Sequence, residues 1–220
     1  MRSQKGRPYT DFKSTSFTST SALCSPTVIK PRTVTTPPTR AELRSALLAE
    51  RESFANGPDA AVAQAALARH ALAVVARLEP QCLGLYWPVR SEFNAPLVFT
   101  GEAGLSGCTL ALPFSRRTPR AMHYRAWDGA PPTLIDECAI PACEGAEVVP
   151  DVVLAPCVGY TEEGYRLGYG GGYFDRWLAL HPDVTVIGVA WSVARIDTAA
   201  FGVRAHDLPM MAIVTERGVV

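Results

Sequence analysis

Five short apolar runs alternate with turn and helix signals along the chain. Several of them are apolar throughout, which is typical of strands in a sheet that is covered on both faces. A helical pattern follows at Tyr173–Leu180, with a less clear one at Ala95–Thr100. The alternation predicts a single α/β domain with a largely parallel sheet flanked by helices on both faces. The five runs are Cys82–Trp87, Thr109–Phe114, Met122–Trp127, Val152–Val158 and Val184–Ala190.

Two helices are expected before the first strand. Thr39 is followed three residues later by Glu42, which is a capping-box signature, so a helix should begin here. The pair Asn56-Gly57 is a stop signal for this helix. Pro58 suits the first turn of a second helix that runs to about Leu78, and the alanine density of that segment favours close packing on a sheet.

The first 38 residues differ in composition from the rest. They contain 14 Ser and Thr residues, and they carry six basic side chains against one acid. A segment with so little apolar surface cannot offset the conformational entropy that it would lose on folding. We therefore predict a disordered basic tail at 1–38 and a folded domain at 39–220. The tail loosely resembles an organelle transit peptide, and a non-native or mis-assigned start is the alternative. We therefore expect a cytoplasmic protein, or an organellar one if the tail is a transit peptide.

The whole chain has 21 basic and 21 acidic residues, but residues 39–220 carry 15 basic and 20 acidic ones. This negative balance argues against a nucleic-acid partner. No continuous apolar run approaches the roughly 18–20 residues that span a bilayer, so we expect no membrane partner. The six cysteines form no C-x-x-C pair, which favours reduced thiols that pack as small hydrophobes. A monomer is compatible with this size.

The most informative segment follows the apolar run at 152–158. Glycines at 168, 170, 171 and 172 precede a helix that should begin near Tyr173. Glycine lets backbone amides approach a ligand closely, and a helix N-terminus favours negative charge, so the segment suits a phosphate. Arg166 offers a guanidinium and Asp175 a hard oxygen ligand, as in a site for a nucleotide with Mg²⁺. A structural wide turn is the alternative, because neither the P-loop nor the Rossmann pattern is present.

This segment resembles the signature of the 5-formyltetrahydrofolate cyclo-ligases, also called methenyltetrahydrofolate synthetases. The resemblance extends over about residues 39–217, and its motifs occur in the family's order, which makes it far more specific than one glycine loop. The motifs are Arg40–Arg44, Leu85–Pro88 with Glu92, Arg166–Asp175, His206–Met210 and Ile213–Glu216.

The resemblance implies that ATP and 5-formyltetrahydrofolate, with or without a polyglutamate tail, give 5,10-methenyltetrahydrofolate, ADP and phosphate through a phosphorylated formyl intermediate. ATP and Mg²⁺ are the implied cofactors. The implied ATP-binding residues are Arg40, Arg44, Arg166, Gly168, Gly170, Gly171, Gly172 and Tyr173. The implied substrate-binding residues are Trp87, Glu92, Tyr169, Gly171 and Tyr173. Catalytic roles are implied for Arg166 and Tyr173, and metal binding for Asp175 and Asp207.

The chain departs from the family pattern at three places. Arg40 replaces a lysine, Ala194 stands where a glutamine is common, and the segment before His206 lacks a Pro and a Glu, with Arg204 within it. A divergent paralogue that binds nucleotide or folate but acts on another substrate is therefore the alternative, as is a non-catalytic binding module. Without the resemblance, the arginines of the first helix would be interpreted as solvated charges.

Overall fold

A computed structural model describes residues 38–204 and 207–220. The expectation of a disordered tail falls on residues outside this description, as does His206. The helices are α1 (Arg40–Ala55), α2 (Ala60–Leu78), α3 (Ala95–Phe99), α4 (Tyr173–Leu180) and α5 (Thr198–Phe201), with 3₁₀ turns at Ala103–Leu105 and Ser192–Ala194.

Twelve strands are present in the described residues, and several contain only two residues. They are β1 (Cys82–Gly84), β2 (Thr109–Arg117), β3 (Arg120–Trp127), β4 (Leu134–Ile135), β5 (Pro141–Ala142), β6 (Glu147–Val148), β7 (Val152–Pro156), β8 (Gly159–Tyr160), β9 (Arg166–Leu167), β10 (Thr185–Val189), β11 (Ala212–Thr215) and β12 (Gly218–Val219).

Eight of these strands form one sheet in the order β12-β11-β10-β7-β1-β2-β3-β6. The five strands from β11 to β2 run parallel to one another, whereas β3, β6 and β12 pair antiparallel at the two margins. The remaining strands form two small hairpins, β4-β5 and β8-β9. The prediction of a largely parallel sheet is therefore confirmed.

Helices cover both faces of this sheet, as the apolar runs predicted. On one face, Leu67 and Ala71 of α2 pack in a core that includes Leu154 of β7. On the other face, Trp177 of α4 packs edge-on against Tyr124 of β3, with ring centroids 5.0 Å apart. Val152 and Leu154 of β7 lie in the first core and Val153 lies in the second, and the whole strand is buried, which explains why it is apolar throughout.

The sequence placed most elements correctly but extended several strands too far. The capping box of α1 is present: the Thr39 amide donates to Glu42 Oε2 at 2.7 Å, and the Glu42 amide donates to Thr39 Oγ1 at 3.3 Å. Helix α2 begins only at Ala60, so Pro58 lies before the helix rather than in its first turn. Strand β1 ends at Gly84 instead of Trp87, because the chain then leaves the sheet towards the site described below.

Helix α2 qualifies the expectation that no segment is long and apolar enough to span a bilayer. It is the only helix in the described ranges that is long and apolar enough to cross a membrane, judged by length and composition. One such helix is weak evidence, because core helices of globular domains pass the same test. Ala63, Leu67, Ala71 and Val75 of α2 are buried against the sheet. The absence of a membrane partner stays a prediction.

The packing of β7 yields a stability prediction. Leu154 is fully buried at the centre of the sheet, whereas Leu180 at the end of α4 is 78% exposed. Leu154→Ala should therefore lower the free energy of unfolding by ~2–5 kcal/mol, because it removes buried methyl groups and leaves a cavity. The matched variant Leu180→Ala should change it by less than ~0.5 kcal/mol. Urea denaturation measures both, and equal effects of the two variants would contradict the assigned core.

Candidate active site

The candidate site lies at the carboxyl ends of the central strands. From β1 the chain continues to β2 on one side, whereas β7 and β10 lie on the other side of β1. The strand order therefore reverses between β1 and β7, and open α/β sheets bind ligands in the crevice outside such a reversal. The segment that follows β1 carries Glu92, and the segment that follows β7 carries Arg166 and the glycine loop, defined here as Gly168–Gly172.

The glycine loop has the geometry that its sequence predicted. Gly170 and Gly172 have φ values of 91° and 64°, which side chains other than glycine rarely adopt. Helix α4 begins directly after the loop, at Tyr173. Two arginines bind loop carbonyls: Arg44 Nε donates to Gly168 O at 2.7 Å, and Arg176 Nη2 donates to Gly171 O at 2.5 Å. The loop is thus fixed by its carbonyl groups.

The amide groups of the glycine loop are available for a ligand. Among the residues that the structure describes, the backbone N–H groups of Gly168–Gly172 donate no hydrogen bond to a protein acceptor. These donors lie next to the N-terminus of α4, whose own first N–H groups are unpaired by helix geometry. Donors of this kind beside a helix N-terminus form a binding site for an anion such as a phosphate.

Positive side chains surround this loop. Arg44 is partly buried, and desolvation lowers its pKa, with further lowering by the charges of Arg40 and then Arg204. A Cβ added to Gly170 would lie 3.4 Å from Arg44 Cζ, so the guanidinium lies directly against the loop backbone. These guanidinium groups repel one another, and a bound polyanion would offset that repulsion. The positive charge beside the loop therefore suits an anion with several phosphate groups.

Arg166 and Asp175, predicted together from the sequence, form an ion pair. Arg166 Nη2 donates to Asp175 Oδ1 at 2.6 Å, and Arg166 Nη1 donates to Pro156 O at 3.4 Å. The Arg166 side chain is 9% exposed, whereas that of Asp175 is 62% exposed. A Cβ added to Gly168 would lie 2.7 Å from Arg166 Nη1, so a larger residue here would force the guanidinium to shift.

Asp207 is held by Arg40, the residue that replaces the family's lysine. Both Arg40 terminal nitrogens donate to the Asp207 carboxylate, and Arg40 Nη2 also donates to Gly202 O at 3.1 Å. The Arg204 amide donates to Asp207 Oδ2 at 2.7 Å, and the Arg40 guanidinium lies 4.3 Å from the Phe201 ring centroid. Arg40 therefore joins the start of α1 to the segment that follows α5.

The two predicted metal ligands differ in how well they suit Mg²⁺. No group of three or more metal-ligating side chains occurs within 38–204 and 207–220. Mg²⁺ is usually bound by one or two carboxylates together with phosphate oxygens and waters, so a protein cage is not required. Both carboxylates face a guanidinium, but that of Asp175 is 62% exposed and contacts Arg166 through Oδ1, so it fits this role better than the Asp207 carboxylate, which is 11% exposed and accepts from Arg40 through both oxygens. Metal binding by either residue stays a prediction.

Glu92 is a buried acid on the opposite side of the crevice. Only 4% of its side chain is exposed. Its Oε2 accepts from the Val89 amide at 2.9 Å, and its Oε1 accepts from the Tyr169 hydroxyl at 2.7 Å. Burial raises the pKa of Glu92, although these two hydrogen bonds oppose the rise. Tyr169 belongs to the glycine loop, so the structure brings two predicted substrate-binding residues from distant segments into direct contact.

The sequence analysis missed Arg51, which belongs to the same cluster. Arg51 is 1% exposed, its Nη2 donates to the Tyr169 hydroxyl at 2.5 Å, and its Nη1 lies 3.7 Å from Glu92 Oε1. One signal was available: Arg51 follows Leu43 and Leu47 at intervals of four residues and so shares the apolar face of α1. Leu47 and Arg51 are indeed the buried residues of this helix.

Two aromatic residues with predicted roles make protein contacts here. The Tyr173 hydroxyl and Cys138 Sγ are hydrogen-bonded at 3.1 Å, and this contact is the largest of the causes that raise the pKa of Tyr173. The Trp87 ring packs edge-on against Trp127, with centroids 6.3 Å apart. A catalytic role for Tyr173 and substrate binding by Trp87 stay predictions. The five cysteines of the described residues are free thiols, as expected.

Two surface cavities lie elsewhere on the domain. One of about 530 Å³ is lined by residues from Ala126 to Gly145, and one of about 560 Å³ is lined by residues from Phe99 to Gly129. Neither includes the glycine loop, Glu92 or Arg51. The candidate site is assigned from its strand-end position and its polar groups.

Curated proteins with similar sequences are 5-formyltetrahydrofolate cyclo-ligases. Among curated proteins, the 5-formyltetrahydrofolate cyclo-ligase of Mycoplasma pneumoniae is 43% identical over 51 residues, which are 23% of this chain and 31% of that protein. The Escherichia coli K12 protein of the same name is 36% identical over 67 residues, which are 30% of this chain and 36% of that protein. The matched segments thus span about a third of these relatives' length.

Solved structures extend the likeness to the whole fold. The 5,10-methenyltetrahydrofolate synthetase of Aquifex aeolicus has a TM-score of 0.63 and 26% identity, with 82% of this chain and 91% of that chain covered. The synthetase of Mycoplasma pneumoniae has a TM-score of 0.63 at 21% identity, covering 80% and 98%, and shows the same fold. The family model described as the 5-formyltetrahydrofolate cyclo-ligase family matches residues 37–216. Because that match spans most of the chain, this protein belongs to the 5-formyltetrahydrofolate cyclo-ligase family.

Proposed function

We propose that this protein converts 5-formyltetrahydrofolate to 5,10-methenyltetrahydrofolate while ATP is consumed and ADP and phosphate are released. The observation that carries the proposal is the direct contact between Glu92 and Tyr169. It places a buried carboxylate, suited to a heterocycle's N–H groups, beside a loop of free amides suited to phosphates. A folate and a nucleotide bound at these two places would meet in one crevice.

The nucleotide side of the crevice is built for charge stabilisation. The amides of the glycine loop and the guanidinium groups of Arg44 and Arg166 would bind the phosphates and orient the γ-phosphate. Mg²⁺, when bound, would neutralise part of the phosphate charge, with Asp175 as the protein carboxylate best placed to hold it. Phosphoryl transfer demands little covalent chemistry from a protein, so this positioning is the main contribution expected here.

On the folate side, Glu92 would accept hydrogen bonds from the pterin and fix the formyl group towards the γ-phosphate. Each Glu92 oxygen has a second lone pair beyond its contact with the Tyr169 hydroxyl or the Val89 amide, so it can accept from a ligand while both contacts remain. The formyl oxygen then attacks the γ-phosphorus and ADP leaves. N10 closes on the activated carbon, and the former formyl oxygen departs as part of the phosphate. The chain's residues hold the two reactants in line, and no side chain needs to form a covalent bond.

The competing hypothesis is a divergent family member with another substrate or without turnover. Two departures from the family pattern favour it. Arg40 is paired with Asp207. Ala194 is 1% exposed, so a buried methyl group occupies the position where the family commonly has a glutamine. We propose small molecules as the only partners and a cytoplasmic location, for which the free thiols are the support.

The proposed reaction is testable by direct assay. Protein incubated with ATP, Mg²⁺ and 5-formyltetrahydrofolate should produce the near-UV absorbance of the methenyl product, with one ADP formed per product. Omission of ATP should abolish the signal. If the protein binds both ligands but no product forms, the divergent-member hypothesis replaces this proposal.

Asp175 provides a second, residue-level prediction. Asp175→Asn should lower kcat by about 10²-fold, because it removes a charged oxygen ligand and the anion that orients Arg166. The Mg²⁺ concentration for half-maximal rate should rise as well. Asp183→Asn, an exposed acid between α4 and β10, is the matched control and should leave both quantities unchanged. An unaltered Mg²⁺ dependence in Asp175→Asn would remove Asp175 from the metal site.

A further inference from the structure

One arginine of α1 is buried without full hydrogen bonding. Arg51 is 1% exposed, and its Nε and Nη1 atoms are buried with no hydrogen-bond partner. Burying a guanidinium costs free energy unless a partner charge compensates it. A hydrophobic residue at this position on the apolar face of α1 would avoid that cost. The charge at position 51 therefore calls for an explanation beyond packing.

The contacts of Arg51 all lead to the folate side of the crevice. Arg51 Nη2 donates to the Tyr169 hydroxyl, which in turn donates to Glu92 Oε1 at 2.7 Å. Arg51 Nη1 lies 3.7 Å from the same carboxylate oxygen, and the guanidinium lies 5.6 Å from the Tyr169 ring centroid. Arg51 is thus joined to Glu92 twice, once by charge and once through a shared hydroxyl.

Glu92 needs such a partner to serve as an acceptor. Burial is the largest influence on its pKa and raises it, whereas the Tyr169 hydroxyl, the Val89 amide and the Arg51 charge lower it. A protonated carboxyl group has one acceptor fewer and carries a donor of its own, so it is a poorer match for the N–H groups of a pterin. Recognition therefore depends on keeping Glu92 ionised in a nearly dry environment.

No other described group supplies this compensating charge. The titratable groups that interact with Glu92 from the neighbouring elements are Tyr86 after β1, Cys157 after β7 and Tyr169 in the glycine loop. Burial raises the pKa of Tyr86 well above its usual value and that of Cys157 to about 12, so both stay neutral near pH 7. Arg51 is the described cation whose charge acts on Glu92.

We infer that Arg51 is a positioning residue for folate recognition, which keeps the Glu92 carboxylate charged and, through Tyr169, correctly oriented. This inference rests on the proposed function, because it assigns Glu92 to the pterin. It adds a residue of α1 to the substrate side of the site, whereas Arg44 of the same helix binds a carbonyl of the glycine loop.

The test measures binding of 5-formyltetrahydrofolate without nucleotide, by calorimetry, from about pH 5 to about pH 9. In the wild type, affinity should fall at acid pH as Glu92 takes up a proton. This fall in affinity is the acid limb of the pH profile. An adjacent opposite charge lowers a carboxyl pKa by about 1–3 units, so Arg51→Met should displace the acid limb to higher pH by at least about one unit. At a pH within the displaced limb, the affinity of Arg51→Met should then be about tenfold below that of the wild type.

Three further variants separate charge from packing. Arg77→Met removes an exposed arginine from α2 and should leave the pH profile unchanged. Arg51→Lys keeps the charge but loses the planar fork, so it should weaken binding while leaving the acid limb where the wild type has it. Glu92→Gln should abolish the limb, and adding Arg51→Met to it should introduce no new pH dependence. Thermal unfolding of each variant reports whether it folds.

The outcomes distinguish failure of the proposed function from failure of the role inferred for Arg51. If the wild type binds no 5-formyltetrahydrofolate at any pH, the proposed function fails. If the wild type binds but Arg51→Met has the wild-type acid limb, the role of Arg51 is packing alone and this inference is overturned. Should Arg51→Met fail to fold, the neutral variant Arg51→Gln decides: a displaced limb supports the inference, and an unmoved limb contradicts it.

Discussion

The parallel pairing of β1 with β7 determines where chemistry can occur in this domain. Leu83 pairs with Val152 and Gly84 with Val153, so the chain leaves β1 alongside β7, which continues to Pro156. The close fit requires a glycine, because a Cβ at Gly84 would lie 2.9 Å from side-chain atoms of Pro150, Tyr124 and Val153. The chain segments leaving these strand ends meet at one edge. One carries Glu92 and the other carries Arg166 and the glycine loop, so two segments far apart in sequence form one crevice.

Arginine is the cation on which this crevice depends. All three lysines of the chain lie within the first 38 residues, so the described residues contain none. Arg44 and Arg176 bind carbonyls of the glycine loop, while Arg166 and Arg40 hold carboxylates. A planar guanidinium can make several directed hydrogen bonds at once, so each arginine both adds charge and fixes backbone or acid geometry. A lysine at these positions would supply the charge with fewer directed contacts.

The sequence predicted those features that depend on local pattern. The capping box fixed the start of α1, and the glycines followed by an amphipathic segment fixed the start of α4. The two-residue strands were not predicted, because so short a segment has no periodicity. Arg51 was missed for a related reason: a single charge on a helix resembles a solvated residue until tertiary packing places Glu92 beside it. The resemblance to the family supplied a role for Glu92 that residue patterns alone left open.

The central claim is that the glycine loop and Glu92 bind the nucleotide and the folate in a single crevice. A crystal structure of the protein with a non-hydrolysable ATP analogue, Mg²⁺ and 5-formyltetrahydrofolate tests it most directly. We expect phosphate oxygens within hydrogen-bond distance of the amides of Gly168–Gly172 and the pterin against the Glu92 carboxylate, with the formyl oxygen facing the γ-phosphate. Phosphates bound away from the loop, or a pterin bound in the cavity beside Trp127, would contradict the account.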